Sequence, residues 1–259
     1  MNSLFNDIWY SKKCYLTSKS DLLDQNFDPD KIDIGDTCLI VFSYNLFKEI
    51  LKSIPNVIDL KWPYNTTELK LCTKNGKKFA IHFPSYGATR IASSLEQLSV
   101  CGIKKVFGIG LGGTPQKYIN IGDIVLLEGS IKGDGTSSYY SPVEFPAVPD
   151  FKLVSKVQNK LDVCGEKYHV GLSFGTDALY KEEENLINLL EELKVLLIDL
   201  ESSAFFTIGR RLDLKCCWAG IVSDRLVVRK HEGIAHSESV INELLHLSQY
   251  IIQVIEERS

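Results

Sequence analysis

Apolar runs of strand length that alternate with helix-patterned segments predict one α/β domain: a mixed central β-sheet with helices on both faces. Two further observations support that class. No Pro/Gly/Ser linker, low-complexity stretch or internal repeat divides the 259 residues, and hydrophobic residues at 44% with charged residues at 24% are an ordinary globular composition. Residues 1–35 are polar, with turns at 28–30 and 34–36, and read as an N-terminal segment; 36–259 read as the domain. A buried strand is expected over 38–42, and Phe47, Ile50 and Leu51 then make a helical stripe. Asn75-Gly76 joins runs 69–73 and 78–83 as a hairpin. Ile91, Leu95, Leu98 and Val100 belong to a helix stopped by Gly102. A strand over 105–109 enters a glycine-rich loop, and strands follow at 122–131 and 168–174. Residues 195–200 form a strand running into a helix that starts near Glu201, 216–222 the last buried strand, and 234–257 an amphipathic helix. In open α/β sheets ligands sit at the carboxyl ends of strands. The loops of interest therefore begin at Phe42, Ile109, Phe174, Leu200 and Val222.

Charge and composition exclude several classes of function. Lys and Arg number 29 against 33 Asp and Glu, for a net charge of −4, so no basic excess exists to neutralise a nucleic-acid backbone. No apolar run approaches the roughly 18–20 residues of a membrane span. The first residues lack the basic and apolar regions of a signal peptide, and a cytoplasmic location is expected. Seven cysteines, an odd number without zinc spacing, read as reduced, mostly buried thiols. No metal-ligand cluster is apparent.

Three segments carry residues suited to chemistry. Gly108-Ile109-Gly110-Leu111-Gly112-Gly113-Thr114 follows a strand and either lets backbone amides approach a ligand or makes a tight connection. No helix pattern follows it, so it is not a dinucleotide fingerprint. In Ile198-Asp199-Leu200-Glu201-Ser202-Ser203-Ala204 two carboxylates flank a leucine, and extended backbone would point both to one side. Glu201 then either accepts the free amides of the following helix or grips two sugar hydroxyls and stabilises a cationic sugar transition state. Asp224, in Val222-Ser223-Asp224-Arg225, is either a general acid at a strand end or a turn residue paired to Arg225 or Arg229. Together the three segments converge on one pocket. Tyr139, Tyr140 and Trp218 read as packing residues, and His231 and His236 as part of a solvated loop.

Beyond these segments the chain resembles the nucleoside phosphorylase-I family of purine nucleoside phosphorylases, uridine phosphorylases and methylthioadenosine nucleosidases. The likeness runs from about Cys38 to the last helix and is carried by Tyr118-Ile119-Asn120-Ile121-Gly122-Asp123-Ile124-Val125, Asp134-Gly135-Thr136-Ser137, the segment 141–151 (SPVEFPAVPDF), His169-Val170-Gly171 and Thr176-Asp177-Ala178-Leu179-Tyr180. The framework is closest to the uridine branch. The resemblance implies that Glu201 binds ribose hydroxyls above Leu200, that Asp224 protonates the departing base as in the purine branch, and that Gly112, Gly113, Leu179, Asp199 and Ser223 border the base. The uridine branch's glutamine and arginine align with Glu183 and Asn185, so its base-recognition pair is absent.

The family's phosphate arginines are also missing. Phe47 stands at the position of the first, in the turn that begins at Ser43; Gly108 stands at the second; Leu111 replaces a hydroxyl residue; and no arginine occurs near Pro63-Tyr64, where a neighbouring subunit's would fall. Stripping phosphate of water without charged partners costs several kcal/mol. Arg90 or Lys48 would have to reach the vacated site, or water would attack instead. Where the nucleosidase branch keeps a water-activating glutamate this chain has Leu46, with Glu49 a helical turn later.

The expectation is therefore an enzyme cleaving the N-glycosidic bond of a purine-type nucleoside. Phosphorolysis, with inorganic phosphate as co-substrate, is the family default, and hydrolysis fits the missing arginines. The alternative is a catalytically silent nucleoside-binding or storage protein of the same fold. The resemblance implies no organic cofactor and a homo-oligomer (dimer, trimer or hexamer) in which residues 10–21, with Lys13 or Cys14, reach a neighbour's site.

Overall fold

The computed structural model describes residues 14–227, 230–233 and 237–257. Its elements, in chain order, are α1 (Ser18–Asp24), β1 (Thr37–Val41), α2 (Tyr44–Lys52), β2 (Asn56–Asp59), β3 (Glu68–Lys74), β4 (Lys77–Phe83), α3 (Ala88–Val100), β5 (Lys105–Thr114), β6 (Ile124–Gly133), α4 (Phe151–Cys164), β7 (Tyr168–Thr176), α5 (Glu184–Glu192), β8 (Leu197–Asp199), α6 (Ser202–Arg211), β9 (Lys215–Val227), β10 (Lys230–Gly233) and α7 (Glu238–Glu256). The strands form one mixed sheet in the order β10-β9-β6-β7-β8-β5-β1-β4-β3-β2. A further parallel pairing of β5 with β9 closes β5, β9, β6, β7 and β8 into a ring. Both faces are covered, as the sequence predicts. Along β1, Cys38 and Ile40 enter the core beneath α1, α3 and α6, while Leu39 and Val41 enter the core beneath α2, α4 and α7.

The hairpin through Asn75-Gly76 forms as expected, and Gly102, directly after the Cys101 cap of α3, has φ +92°. Several expectations are corrected. The glycine-rich segment is no loop: Gly108 to Thr114 all belong to β5, paired throughout with β9. Extended backbone needs no positive φ there. The glycines instead make room, since a Cβ on Gly108 would lie 2.3 Å from the buried Trp218 ring and one on Gly112 would lie 2.5 Å from the Ile198 carbonyl. Trp218 is a packing residue, fully buried. β8 has three residues, Leu197–Asp199, rather than six, because Leu200 and Glu201 already belong to the turn into α6. The last buried strand extends to Val227 and is followed by β10, which places His231 in a strand, not a solvated loop. His236 and Arg229 lie outside the described residues.

The N-terminal segment holds a helix that its polarity hides. Thr17 and Ser20 form a capping box at α1, and Leu22 is fully buried in the domain core. The Tyr64 hydroxyl donates to Asp21. From Thr17 onward this segment packs on its own chain; Tyr10 and Lys13 lie outside the described residues. No described helix is long and apolar enough to cross a membrane.

Candidate active site

A cavity of about 410 Å³ opens at the ends of β1, β5, β7, β8 and β9. These are the strand ends whose loops the sequence singles out. Leu111, Gly112 and Gly113 line it from β5, Asp199 from the end of β8, Leu200 and Glu201 from the turn that follows, and Ser223 and Asp224 from β9. Leu179 joins them from a short helical turn after β7. The two carboxylates proposed for the sugar and the base thus face a single cavity.

On the β8 side the two acids divide the roles that the sequence leaves open for Glu201. Oδ1 of Asp199 accepts the backbone N–H of Glu201 at 2.8 Å and of Ser202 at 2.6 Å, so Asp199 satisfies the first free amides of α6. Glu201 is released from that task. Its Oε1 accepts the N–H of Gly87 at 2.7 Å, just before α3. Gly87 has φ +92°, a conformation only glycine adopts without strain, and is absent from the sequence-based site. The α6 turn is fixed from below: the Ser202 hydroxyl lies 3.0 Å from that of Ser130 and 2.7 Å from that of Ser173.

Both acids are almost wholly buried, and their charged forms suffer for it. Burial, then the neighbouring Asp199 charge, raise Glu201 to about 8, against the opposing Gly87 and Leu200 amides. Burial likewise raises Asp199 to about 6, with the Ser202 and Glu201 amides opposing. The other oxygen of Asp199, Oδ2, is buried without a hydrogen-bond partner among the described residues, in a residue that lines the cavity.

The opposite wall depends on an irregularity in β9. Gly112 is registered with Val222 but Gly113 with Asp224, so Ser223 is an extra residue, a β-bulge. Such bulges re-aim side chains, and here the cavity receives Ser223 and Asp224 after a run in which Cys216, Trp218 and Val222 face the core. The Ser223 hydroxyl donates to Oδ1 of Asp224 at 2.5 Å, and Nε2 of His231 lies 3.2 Å from Oδ2. A Cβ on Gly113 would lie 2.8 Å from the same Oδ2. Glu182 and His231 line the cavity near Asp224, and Phe42, Tyr86 and Tyr180 add aromatic residues to its lining. Sequence reasoning misses Glu182, next to the aligned Glu183, because nothing in the local pattern distinguishes them. Glu183 is exposed at the start of α5, while burial and the Asp224 charge raise Glu182 to about 6.

The expected nucleophile region is not brought to the cavity. Ser43 is buried and caps α2, its hydroxyl accepting from the Leu46 N–H at 3.4 Å. Phe47 is buried in the core against Tyr44 and Phe83. Gly108 packs on Trp218. Arg90 is exposed in the first turn of α3 and does not line the cavity. The Lys48 ammonium sits 4.2 Å from the Tyr44 ring centre, and Glu49 pairs with Lys52. Of that set, Leu111 alone reaches the wall. Among the described residues the lining holds four carboxyl groups and one imidazole, but no lysine or arginine. No cluster of metal-ligating residues occurs among the described residues.

Comparison with known proteins gives this geometry its context. The chain is 28% identical over 170 residues to a guanosine phosphorylase of Halorubrum lacusprofundi, a match covering 66% of either chain. That is just under two thirds of the relative's length. It is 26% identical over 180 residues to a uridine phosphorylase of Haemophilus influenzae, covering 64% of this chain and 70% of that one. It is 27% identical over 154 residues to a purine nucleoside phosphorylase of Buchnera aphidicola, covering 59% and 65%. In three dimensions it superposes on the crystal structure of a uridine phosphorylase from Vibrio fischeri with a TM-score of 0.76, at 22% identity over 90% of this chain and 93% of that one. That likeness is one of fold. Residues 38–256 match the sequence model of the phosphorylase superfamily, and the chain belongs to that family.

Proposed function

We propose that this protein cleaves the N-glycosidic bond of a nucleoside with a purine-type base. The observation that carries this reading is the single cavity lined by both Glu201 and Asp224, on walls built by β8 and β9. Glu201 grips the ribose hydroxyls and, as they donate to it, supplies negative charge for an oxocarbenium-like sugar. Leu200 packs under the sugar, and Gly112, Gly113, Leu179, Asp199 and Ser223 border the base. Asp224 gives a proton to the base as the C1′–N bond breaks, so that the base departs neutral. The names of the relatives, guanosine, uridine and purine nucleoside phosphorylases, support a nucleoside substrate and phosphorolysis. The lining, which holds no lysine or arginine among the described residues, favours water as the attacking group, since a multiply charged anion would give up its water there without a charged partner.

Incubating the protein with a nucleoside panel, with and without inorganic phosphate, separates these outcomes. Free base in both arms is the expected result; release only with phosphate assigns phosphorolysis instead. Asp224→Ala is expected to lower turnover at least about tenfold with binding largely kept, the lower range for a lost general acid. Nucleoside binding by calorimetry with no base released across the panel would overturn the enzymatic reading and leave a binding protein.

A further inference from the structure

The base end of the cavity contains a side chain that this scheme does not use. β10 returns antiparallel to β9, with His231 registered against Leu226 and Gly233 against Asp224. Alternate residues of a strand share a face, so His231 and Asp224 are diagonal neighbours on one side of the hairpin. The position directly opposite Asp224 is a glycine with φ +113°, where a Cβ would lie 3.0 Å from the Asp224 Cα. No side chain therefore stands between the imidazole and the carboxyl, and Nε2 of His231 reaches to 3.2 Å from Oδ2 of Asp224. The other carboxyl oxygen is taken by the Ser223 hydroxyl at 2.5 Å.

Among the described residues that line the cavity, Asp224 and Glu182 are the carboxyl groups that interact with His231, and Tyr180, Tyr86, Asp199 and Glu201 are the other titratable groups of the lining. On the other face of the hairpin Arg225 and Glu232 are registered together with charges 3.9 Å apart, and Arg225 donates to the Lys117 carbonyl at 2.8 Å. Two carboxyl groups therefore surround one imidazole whose side chain is 60% exposed, in contact with both solvent and the buried end of the site. Histidine is the side chain whose charge changes near neutral pH.

Resting on the proposed glycosidic cleavage, we propose that His231 is a positioning residue that acts through Asp224 and holds the carboxylate created when the base leaves. As the C1′–N bond breaks, its electron pair departs with the base. The Asp224 carboxyl proton passes to a base nitrogen, and the attacking oxygen supplies the new pair to C1′, a water releasing one proton to solvent as it does so. Asp224 is then left as a carboxylate, with Nε2 of His231 3.2 Å from its Oδ2. The hold on the new carboxylate grows as the proton moves, so it lowers the barrier more than it tightens substrate binding. After product release the exposed ring passes a proton to Oδ2 and recovers one from solvent.

The test is a pH–rate profile of base release by the full chain and its His231→Ala, His231→Gln, Asp224→Asn and Asp224→Asn/His231→Ala variants. Near pH 6, loss of the imidazole is expected to lower kcat about tenfold or more while KM stays within about threefold. The gap should narrow toward high pH, since a neutral imidazole holds the new carboxylate less strongly. Adding His231→Ala to Asp224→Asn should cost less than about twofold further, because the histidine acts through the aspartate. Profiles that stay parallel at all pH values, or losses that multiply in the double variant, would overturn the proposal. A wild type that releases no base from any nucleoside overturns the underlying reading, whereas release with an unchanged His231→Ala profile overturns this inference alone.

Discussion

At the scale of single residues, Glu201 shows how function and stability pull apart. Its ordinary value of 4.5 is raised to about 8 in the folded chain, chiefly by burial and then by Asp199. Below about pH 4.5 folded and unfolded chains both hold the proton, and the buried group costs nothing. As pH rises toward 8 the unfolded chain gives up its proton while folded Glu201 keeps it, so stability falls across that window and the cost is complete above it. Glu201→Gln keeps an acceptor for the Gly87 N–H and removes the titration. The variant should have a higher melting temperature than wild type near pH 8.5, by a free energy of order a few kcal/mol, with the difference vanishing toward pH 4.5. Base release should fall at least about tenfold in the same variant. A melting difference that does not change with pH would show that burial of this carboxyl is not what costs stability.

Among the elements, β5 and β9 build one wall of the site, and two glycines of β5 act in different ways. At Gly108 an added Cβ meets the rigid, fully buried Trp218 ring at 2.3 Å. Gly108→Ala should therefore destabilise the fold by about 1–3 kcal/mol, the usual cost of overpacking, measured by denaturant unfolding. At Gly113 the nearest atom, at 2.8 Å, is the terminal carboxyl oxygen of Asp224, which can turn away. Gly113→Ala should leave the unfolding midpoint nearly unchanged and lower base release sharply, because the acid is displaced. The contrast is physical: a ring locked in a core transmits strain into stability, and a carboxyl at a cavity edge transmits it into function. The four closely spaced glycines are plain in the sequence, but the groups they make room for lie on β8 and β9, roughly a hundred residues later.

For the whole molecule, the closed ring of five strands and the helices on both faces leave most thiols without solvent. Cys38, Cys72, Cys101, Cys216 and Cys217 are buried, and Cys14 and Cys164 are exposed. Burial raises the Cys38, Cys216 and Cys217 thiols well above their ordinary range. A thiol reagent near neutral pH should label two cysteines per folded chain and the other five only after denaturation. More than two fast thiols would mean that the sheet is not covered as described. A homo-oligomer is proposed on the same scale, and sedimentation at micromolar concentration that gives only a monomer would contradict it. From Thr17 onward the N-terminal segment is committed to its own domain by Leu22 and Asp21, so a segment lent to a neighbour would have to come from the residues before it.

What the sequence by itself determined is whatever rests on local pattern. The central strands, the hairpin at Asn75-Gly76, the end of α3 at Gly102 and the five strand ends around the cavity are legible because burial periodicity and turn chemistry act over a few residues. Asp199, Glu201 and Asp224 stand out for the same reason, as carboxylates ending apolar runs. Only the tertiary structure decided what each carboxylate does. That Asp199, not Glu201, caps α6, that a bulge at Ser223 carries Asp224 into the cavity, and that Glu182 and His231 close its far end all depend on pairings between distant segments. Side-chain direction in a strand reverses with a single inserted residue, and a polar loop's approach to a pocket leaves no periodic trace.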